Sequence, residues 1–275
     1  FTRTAADDMI LADKDPHYRV LNLSVDPWQD ATTSYYHKSI GGYHGAKLKR
    51  IQELYENVMD KNINAVGTAL NSQNDSIIQI ALSRLATLNM LNTKYIIYNP
   101  EGGVLPNRYA CGNAWFVKEI KIVQNSDEEL KSLDTLSSKN TAVVEKSFSL
   151  APASFAVDSA ATIRLTSYGP NKLTYESNTS REQFAVFSEV YYDKGWNAYI
   201  DGNPVPHVRA DFVLRALKVP AGKHNIEFRF EPKLYFVGEK VALAGSLLLF
   251  LSVIGAIFYE VRKMKKVKAK VPVTV

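Results

Sequence analysis

The chain has 275 residues, 46% of them hydrophobic, with 33 Lys and Arg against 28 Asp and Glu and a single cysteine. That length supports two modest cores, since single domains usually run to about 100 to 200 residues, and one cysteine excludes an internal disulfide framework. The net charge of +5 is local: removing Arg262, Lys263, Lys265, Lys266, Lys268, Lys270 and Glu260 from the totals leaves 27 residues of each sign, so the body lacks the basic face a nucleic-acid binder needs and no nucleic-acid partner is expected.

The opening FTRTAADDMILADKDP has no starting methionine, basic n-region or apolar h-region, and its Asp7, Asp8, Asp13 and Asp15 read as a solvated lead-in. HYRVLNLSV (17–25) predicts a strand. From Ala46 the apolar positions Leu48, Ile51, Leu54, Tyr55 and Val58 recur at helical spacing and predict an amphipathic helix. SIIQIALSRLATLNML (76–91) predicts a second, more buried helix, and KYIIYNP a short strand stopped by Pro100. WFVKEIKIVQN reads as one further strand. Ser126 and Glu129 have the S-x-x-E spacing of a capping box, which predicts a helix through about Leu136, and TAVVEK is a last strand. Residues 1–150 are therefore expected to form an α/β or α+β domain, within an α+β protein overall.

After SLAPASFAVDSA the apolar period changes to two. TIRLTSYGPNKLTYES predicts a hairpin around Gly169, Pro170 and Asn171, followed by the apolar strand QFAVFSEVYY. GWNAYIDGNPVPHV places Asp201 and Gly202 in a turn between two strands, and Pro220, Ala221 and Gly222 turn the next pair, with Ile226, Phe228 and Phe230 alternating inward. Short strands at this spacing predict a jelly-roll-like β-sandwich over 151–235.

Val241 to Tyr259 carries no charged side chain, and at about 1.5 Å per residue it nearly crosses a hydrocarbon core of roughly 30 Å. A transmembrane helix is expected over 236–260, with Tyr235, Phe236 and Tyr259 at its interfaces. Positive charge marks the cytoplasmic side, so the basic tail 261–275 is expected inside and residues 1–235 outside, close to the lipid surface. An exported body with no leader in view suggests the C-terminal piece of a longer membrane protein, or one whose signal has been removed.

Three stretches, YYHKSIGGYHGAKLKRIQEL, LNMLNTKYIIYNP and GWNAYIDGNPVPHVRADFVLRALKVPAGKHNIEFRFEP, taken in this order before a last hydrophobic span and a basic tail, resemble the bacterial YfhO family of multi-pass membrane proteins. The similarity extends over essentially the whole chain but corresponds to the C-terminal third of such a protein. The resemblance implies a GT-C-like glycosyltransferase of the bacterial cytoplasmic membrane that moves sugar from a polyprenyl-phosphate donor to a cell-envelope glycan or lipid. Its catalytic carboxylate would lie upstream, so this piece is expected to be non-catalytic and to hold no cofactor of its own. The implied partners are the lipid bilayer, upstream transmembrane helices and a lipid-linked sugar or envelope glycan. The alternative is a membrane-anchored, non-catalytic carbohydrate-binding or scaffolding module.

Among the residues themselves, the loop TSYYHKSIGGYHGAKLKR is the densest polar-aromatic stretch. Tyr35, Tyr36, His37, Tyr43 and His44 suit sugar faces and hydroxyls, Lys38 and Lys47 suit a phosphate, and amides at a helix start near Ala46 would add partial positive charge. Gly41, Gly42 and Gly45 would let backbone approach a ligand; the competing reading is a loop whose rings cover its own core. Trp196 and Tyr199 suggest a carbohydrate platform, although strand alternation gives one of them to the core. Arg209 and Arg215 are either solvated strand arginines or contacts for lipid phosphate. His37 and His44 lack metal-site spacing, His17, His207 and His224 are dispersed, and no nucleophile elbow, P-loop or dinucleotide fingerprint occurs, so neither a metal nor a catalytic residue is expected.

Overall fold

The structure, a computed structural model, describes residues 1–156 and 158–268, with side chains in the terminal helix through Met264. Helix α1 (Ala5–Leu11) begins at Thr4, whose hydroxyl accepts from the Asp7 amide while the Asp7 carboxylate accepts from the Thr4 amide. The acidic lead-in is therefore structured: Asp7 closes a capping box, and Asp13 and Asp15 grip Lys94 at 2.5 and 3.0 Å. Strand β1 (Arg19–Asn22) follows. Helix α2 (Lys49–Leu54) passes through a π turn at Tyr55–Met59 into α3 (Asp60–Asn71). The segment expected as one helix over 76–91 is two, α4 (Asp75–Arg84) and α5 (Ala86–Met90), because Leu85 leaves helical geometry at φ −84°, ψ 66°. The buried Asn89 amide instead donates to the Leu82 carbonyl at 2.9 Å, satisfying a group the break exposes.

Strands β2 (Thr93–Asn99), β3 (Gly103–Pro106), β4 (Ala114–Val117) and β5 (Glu119–Val123) come next. The single strand expected from WFVKEIKIVQN is thus divided at Lys118, and its halves enter different sheets. Helix α6 (Ser126–Ser132) is capped by Asn125, which accepts from the Glu128 amide at 2.9 Å, not by Ser126. The cap lies one residue earlier than the S-x-x-E spacing predicts, and this releases Ser126 and Glu129 for contacts elsewhere. Strands β6 (Thr141–Glu145) and β7 (Ala153–Ser154) complete this part.

The remaining strands are β8 (Thr162–Tyr168), β9 (Lys172–Thr179), β10 (Gln183–Val190), β11 (Trp196–Ile200), β12 (Asn203–Val205), β13 (Val208–Ala210), β14 (Leu214–Val219) and β15 (Gly222–Phe230). Two of the three expected hairpins form, β8 with β9 and β11 with β12, whereas Pro220, Ala221 and Gly222 carry the chain from β14 in one sheet to β15 in another. Asp201 and Gly202 both have positive φ, 50° and 82°, as a two-residue hairpin with right-handed twist requires.

The fold is α+β. Its described strands form sheets ordered β1-β2-β3, β6-β5-β7, β13-β14-β10-β4 and β12-β11-β15-β9-β8. The first two contain parallel pairs, β1 with β2 and β5 with β6. Inner faces of the last two share one hydrophobic cluster, in which Tyr175, Phe187 and Phe228 meet edge to face with centroids 4.8 to 6.2 Å apart. Residues 1–230 form one compact unit, within which β4 pairs with β10. The change of period near residue 150 therefore marks a change of element type inside that unit.

Residues 231–275 form the second unit. Helix α7 (Lys233–Lys268) is 36 residues, about 54 Å at 1.5 Å per residue, and is long and apolar enough to cross a membrane. It starts before and continues past the expected 236–260 span, so Arg262 to Lys268 are helical; residues 269–275, with Lys270, lie outside the described residues.

One glycine of the 33–50 loop has a structural task. A Cβ on Gly41 would stand 1.9 Å from the Pro27 carbonyl oxygen, which already accepts from the Gly42 amide at 2.6 Å. Gly41→Ala is expected to push the loop off Pro27 and cost about 1–3 kcal/mol, read as a lowered midpoint in urea unfolding. An unchanged midpoint would show that the loop yields freely.

Candidate functional site

The 33–50 loop divides its side chains between three environments. His37 points inward: it is buried, and its Nε2 donates to Asp7 Oδ1 at 2.8 Å. Burial alone would raise the Asp7 carboxyl, but hydrogen bonds from Thr4 and His37 hold it below the usual range. Tyr35 and Tyr36 face the N-terminal segment. Tyr36 donates from its hydroxyl to the Phe1 carbonyl at 2.6 Å, and Tyr35 lies 5.0 Å from the Phe1 ring. Tyr43 and His44 are exposed, with His44 Nδ1 accepting from the Ala46 amide, and Lys47 stands 5.1 Å from the Trp28 ring. Helix α2 starts at Lys49 rather than near Ala46, and Leu48 gives it no side-chain cap. These residues do not converge on one surface.

Lys38 joins a polar node instead. Its Nζ donates to His17 Nδ1 at 2.6 Å and stands 3.3 Å over the Tyr168 ring, on which His17 also stacks. That contact leaves the His17 proton on Nε2, 2.7 Å from Glu189 Oε1. Burial pushes the His17 pKa down, so the imidazole is neutral. Glu189 is raised by burial but pulled below its ordinary range by His17, Arg19 and Arg215. Arg19 Nη1 donates to the Leu91 and Ser188 carbonyls, and Arg215 Nε to the Val190 carbonyl. Arg215 also covers the Trp196 ring at 4.1 Å. The node therefore connects two expected site residues, Lys38 and Trp196, through groups that periodicity did not single out. Trp196 packs on the inner cluster with Ala198, while Tyr199 on the other face lies under Arg229 at 4.3 Å.

A second cluster escaped sequence reasoning. Arg209 and Arg215, open to reading as solvated strand arginines, are 9% and 3% exposed. Arg209 Nη2 donates to Glu145 at 2.6 Å and to the fully buried Glu129 at 3.1 Å, and Arg50 Nη2 donates to Ser126 Oγ at 2.8 Å. Burial raises the Glu129 pKa against the pull of Arg209, and burial together with Arg209 lowers that of Arg50. Beside them the chain turns at Asp211 and Phe212, two consecutive residues with positive φ, 50° and 70°. Asp211 exchanges hydrogen bonds with Val143 at 2.8 Å, and the Phe212 amide donates to Glu129 Oε1 at 3.1 Å. Complete burial pushes the Asp211 carboxyl up to about 8. Consecutive left-handed conformations at non-glycine residues store strain and persist only where surrounding bonds over-determine them. The available sequence signal was the charge placed inside VRADFVLRAL, a stretch otherwise apolar enough for burial on both faces. Among the described residues no three His, Cys, Asp or Glu converge as a metal site.

Residues 134–241 match the family model described as bacterial membrane protein YfhO. That range holds β6 to β15 and the start of α7, and with them Glu145, Glu189, Trp196, Arg209, Asp211 and Arg215; the 33–50 loop lies outside it. A curated relative, the "Uncharacterized protein YfhO" of Bacillus subtilis (strain 168), is 27% identical over 96 residues, 35% of this chain and 10% of the relative. The chain thus spans about a tenth of that relative's length. No solved structure matches.

Proposed function

We propose, from the premise that this chain is a YfhO-family membrane protein, that residues 1–230 are the extracytoplasmic part of a multi-pass GT-C-like glycosyltransferase. The observation that carries the proposal is the order of parts: a family region over 134–241 runs into a 36-residue apolar helix whose far end is basic. Such a helix crosses the cytoplasmic membrane with its basic end inside, which leaves the charge-balanced body outside. In this reading the upstream portion performs the transfer from a polyprenyl-phosphate donor, and the body helps to bind the envelope glycan or lipid acceptor. The two facing sheets act as a jelly-roll-like sandwich whose inner cluster takes Trp196, and the exposed Tyr43 and His44, with Lys47, supply rings and charge toward sugar. His37, buried against Asp7, braces the loop from behind.

The placement is tested with Tyr43→Cys in the complete gene product. Burial pushes the thiol of Cys111, the one cysteine in these 275 residues, up to about 11, so it stays protonated and unreactive at neutral pH. A membrane-impermeant maleimide added to intact cells is expected to label the Tyr43→Cys protein more than the unsubstituted gene product, with Cys111 unlabelled. Deleting 1–230 is expected to abolish envelope sugar transfer. Labelling that requires permeabilised cells overturns the placement, and unaltered envelope glycan after the deletion overturns the role in transfer.

A further inference from the structure

A cavity of about 400 Å³ opens where the start of α2 meets the ends of β10 and β13. Its charged lining is Lys49, Arg50 and Arg209 against one carboxylate, Asp193, which Lys194 pairs at 2.9 Å. Glu129 and Glu145, the anions that hold the two arginines together, are not part of the lining. One nitrogen of each arginine, Nε of Arg209 and Nη1 of Arg50, is closed to solvent and lies behind the wall, the latter 3.8 Å from Glu129, so the remaining guanidinium nitrogens face the cavity side. Leu48, Ile51, Phe148 and Tyr191 supply an apolar and aromatic wall beside them.

We propose that this cavity binds a phosphate ester, with Arg50 and Arg209 donating to the phosphoryl oxygens and the organic body lying against Ile51 and Tyr191. A tetrahedral oxyanion accepts from two guanidinium groups approaching from different sides, and arginine forks suit it better than any other side chain. The volume exceeds that of a bare phosphate and lies in the range of small-molecule sites. The strained turn at Asp211 and Phe212 begins two residues after Arg209, and its Phe212 amide donates to Glu129, the carboxylate that also holds Arg209. This site goes beyond the sugar-transfer reading and stands whether or not the body takes part in transfer. Its phosphate belongs either to a soluble ester or to a lipid headgroup.

The test uses the full chain in phosphatidylcholine nanodiscs, with phosphorus NMR of hexose 1-phosphate and, separately, discs doped with phosphatidate. A resonance broadened by the wild-type chain is expected, with affinity reduced about tenfold or more in Arg50→Gln. Leu48→Trp, which fills the cavity and leaves the arginine cluster intact, is expected to weaken it similarly. Response to hexose 1-phosphate assigns a soluble ester, and response to phosphatidate alone, lost in both variants, assigns a headgroup; each supports the site. Silence toward both probes, equal binding by the variants, or glucuronate binding as tightly as hexose 1-phosphate overturns it.

Discussion

Residues 1–230 are expected to lose stability as pH rises from about 4 to about 8, and Asp211→Asn is expected to remove the share of that loss that Asp211 carries, leaving the share of Glu129, whose pKa burial also raises. Burial lifts the Asp211 carboxyl from 3.8 to about 8, with the negative charge of Glu129 acting in the same direction and the Val143 amide opposing it. Between those values the folded chain holds a proton that the unfolded chain has released, so stability falls with rising pH and levels off above the folded value. At about 1.4 kcal/mol per pH unit, the loss between pH 4 and pH 7 is on the order of 4 kcal/mol. Asn at 211 stays neutral, keeps an acceptor for the Val143 amide and tolerates the left-handed backbone. Urea unfolding of the reconstituted chain, followed through the buried Trp115, measures both proteins across this window. His17, whose pKa burial lowers, gives the opposite slope below about pH 6.5, and this contribution cancels in the comparison. Parallel profiles for the two proteins would refute the assignment to Asp211.

Glu129→Ala is expected to destabilise the same unit by about 3–5 kcal/mol, the usual result of removing one partner from a buried ion pair. The substitution leaves Arg209 with Glu145 alone and leaves the Phe212 amide without its acceptor at a strained position. Glu129→Gln preserves that acceptor and is expected to cost less, so the difference between the two variants measures the hydrogen bond separately from the charge. Either change also removes a negative charge beside Asp211 and is expected to lower its pKa, which shortens the pH window of the first prediction. If Glu129→Ala unfolds at the wild-type urea midpoint, the buried charges contribute nothing to the fold.

The terminal helix, the strand segments of the second half and two of their three hairpins could be read directly from the residues, whereas the change of sheet after β14 could not. Nineteen uncharged positions need no partner to declare a membrane span, and Asp201-Gly202 specifies its turn through the backbone of two residues. Such signals act over a few residues and survive any reasonable packing. The 114–123 run read differently because alternation says only that a segment is extended; the change of sheet at Lys118 is set by distant bonds, from the Lys118 amide to the Asn140 carbonyl and from the Phe155 amide to the Lys118 carbonyl, both 2.7 Å. Leu85 likewise has no breaker chemistry, and the helix stops there because buried Asn89 takes over a carbonyl.

The sequence by itself determined that the chain carries one long apolar span, a basic end, a near-neutral body and many short strands, since each of these is a local property of composition or period. Only the tertiary structure decided that His37 turns inward, that Lys38 meets His17, that Arg209 and Arg215 are buried, and that Glu129, Glu145, Arg50 and Arg209 meet. Arg50 and Glu145, which approach at 3.9 Å, lie 95 residues apart in the chain, and Arg50 and Arg209 lie 159 apart. A charged residue in a strand is compatible with water or with a buried counter-ion, and the choice depends on which distant surface closes over it.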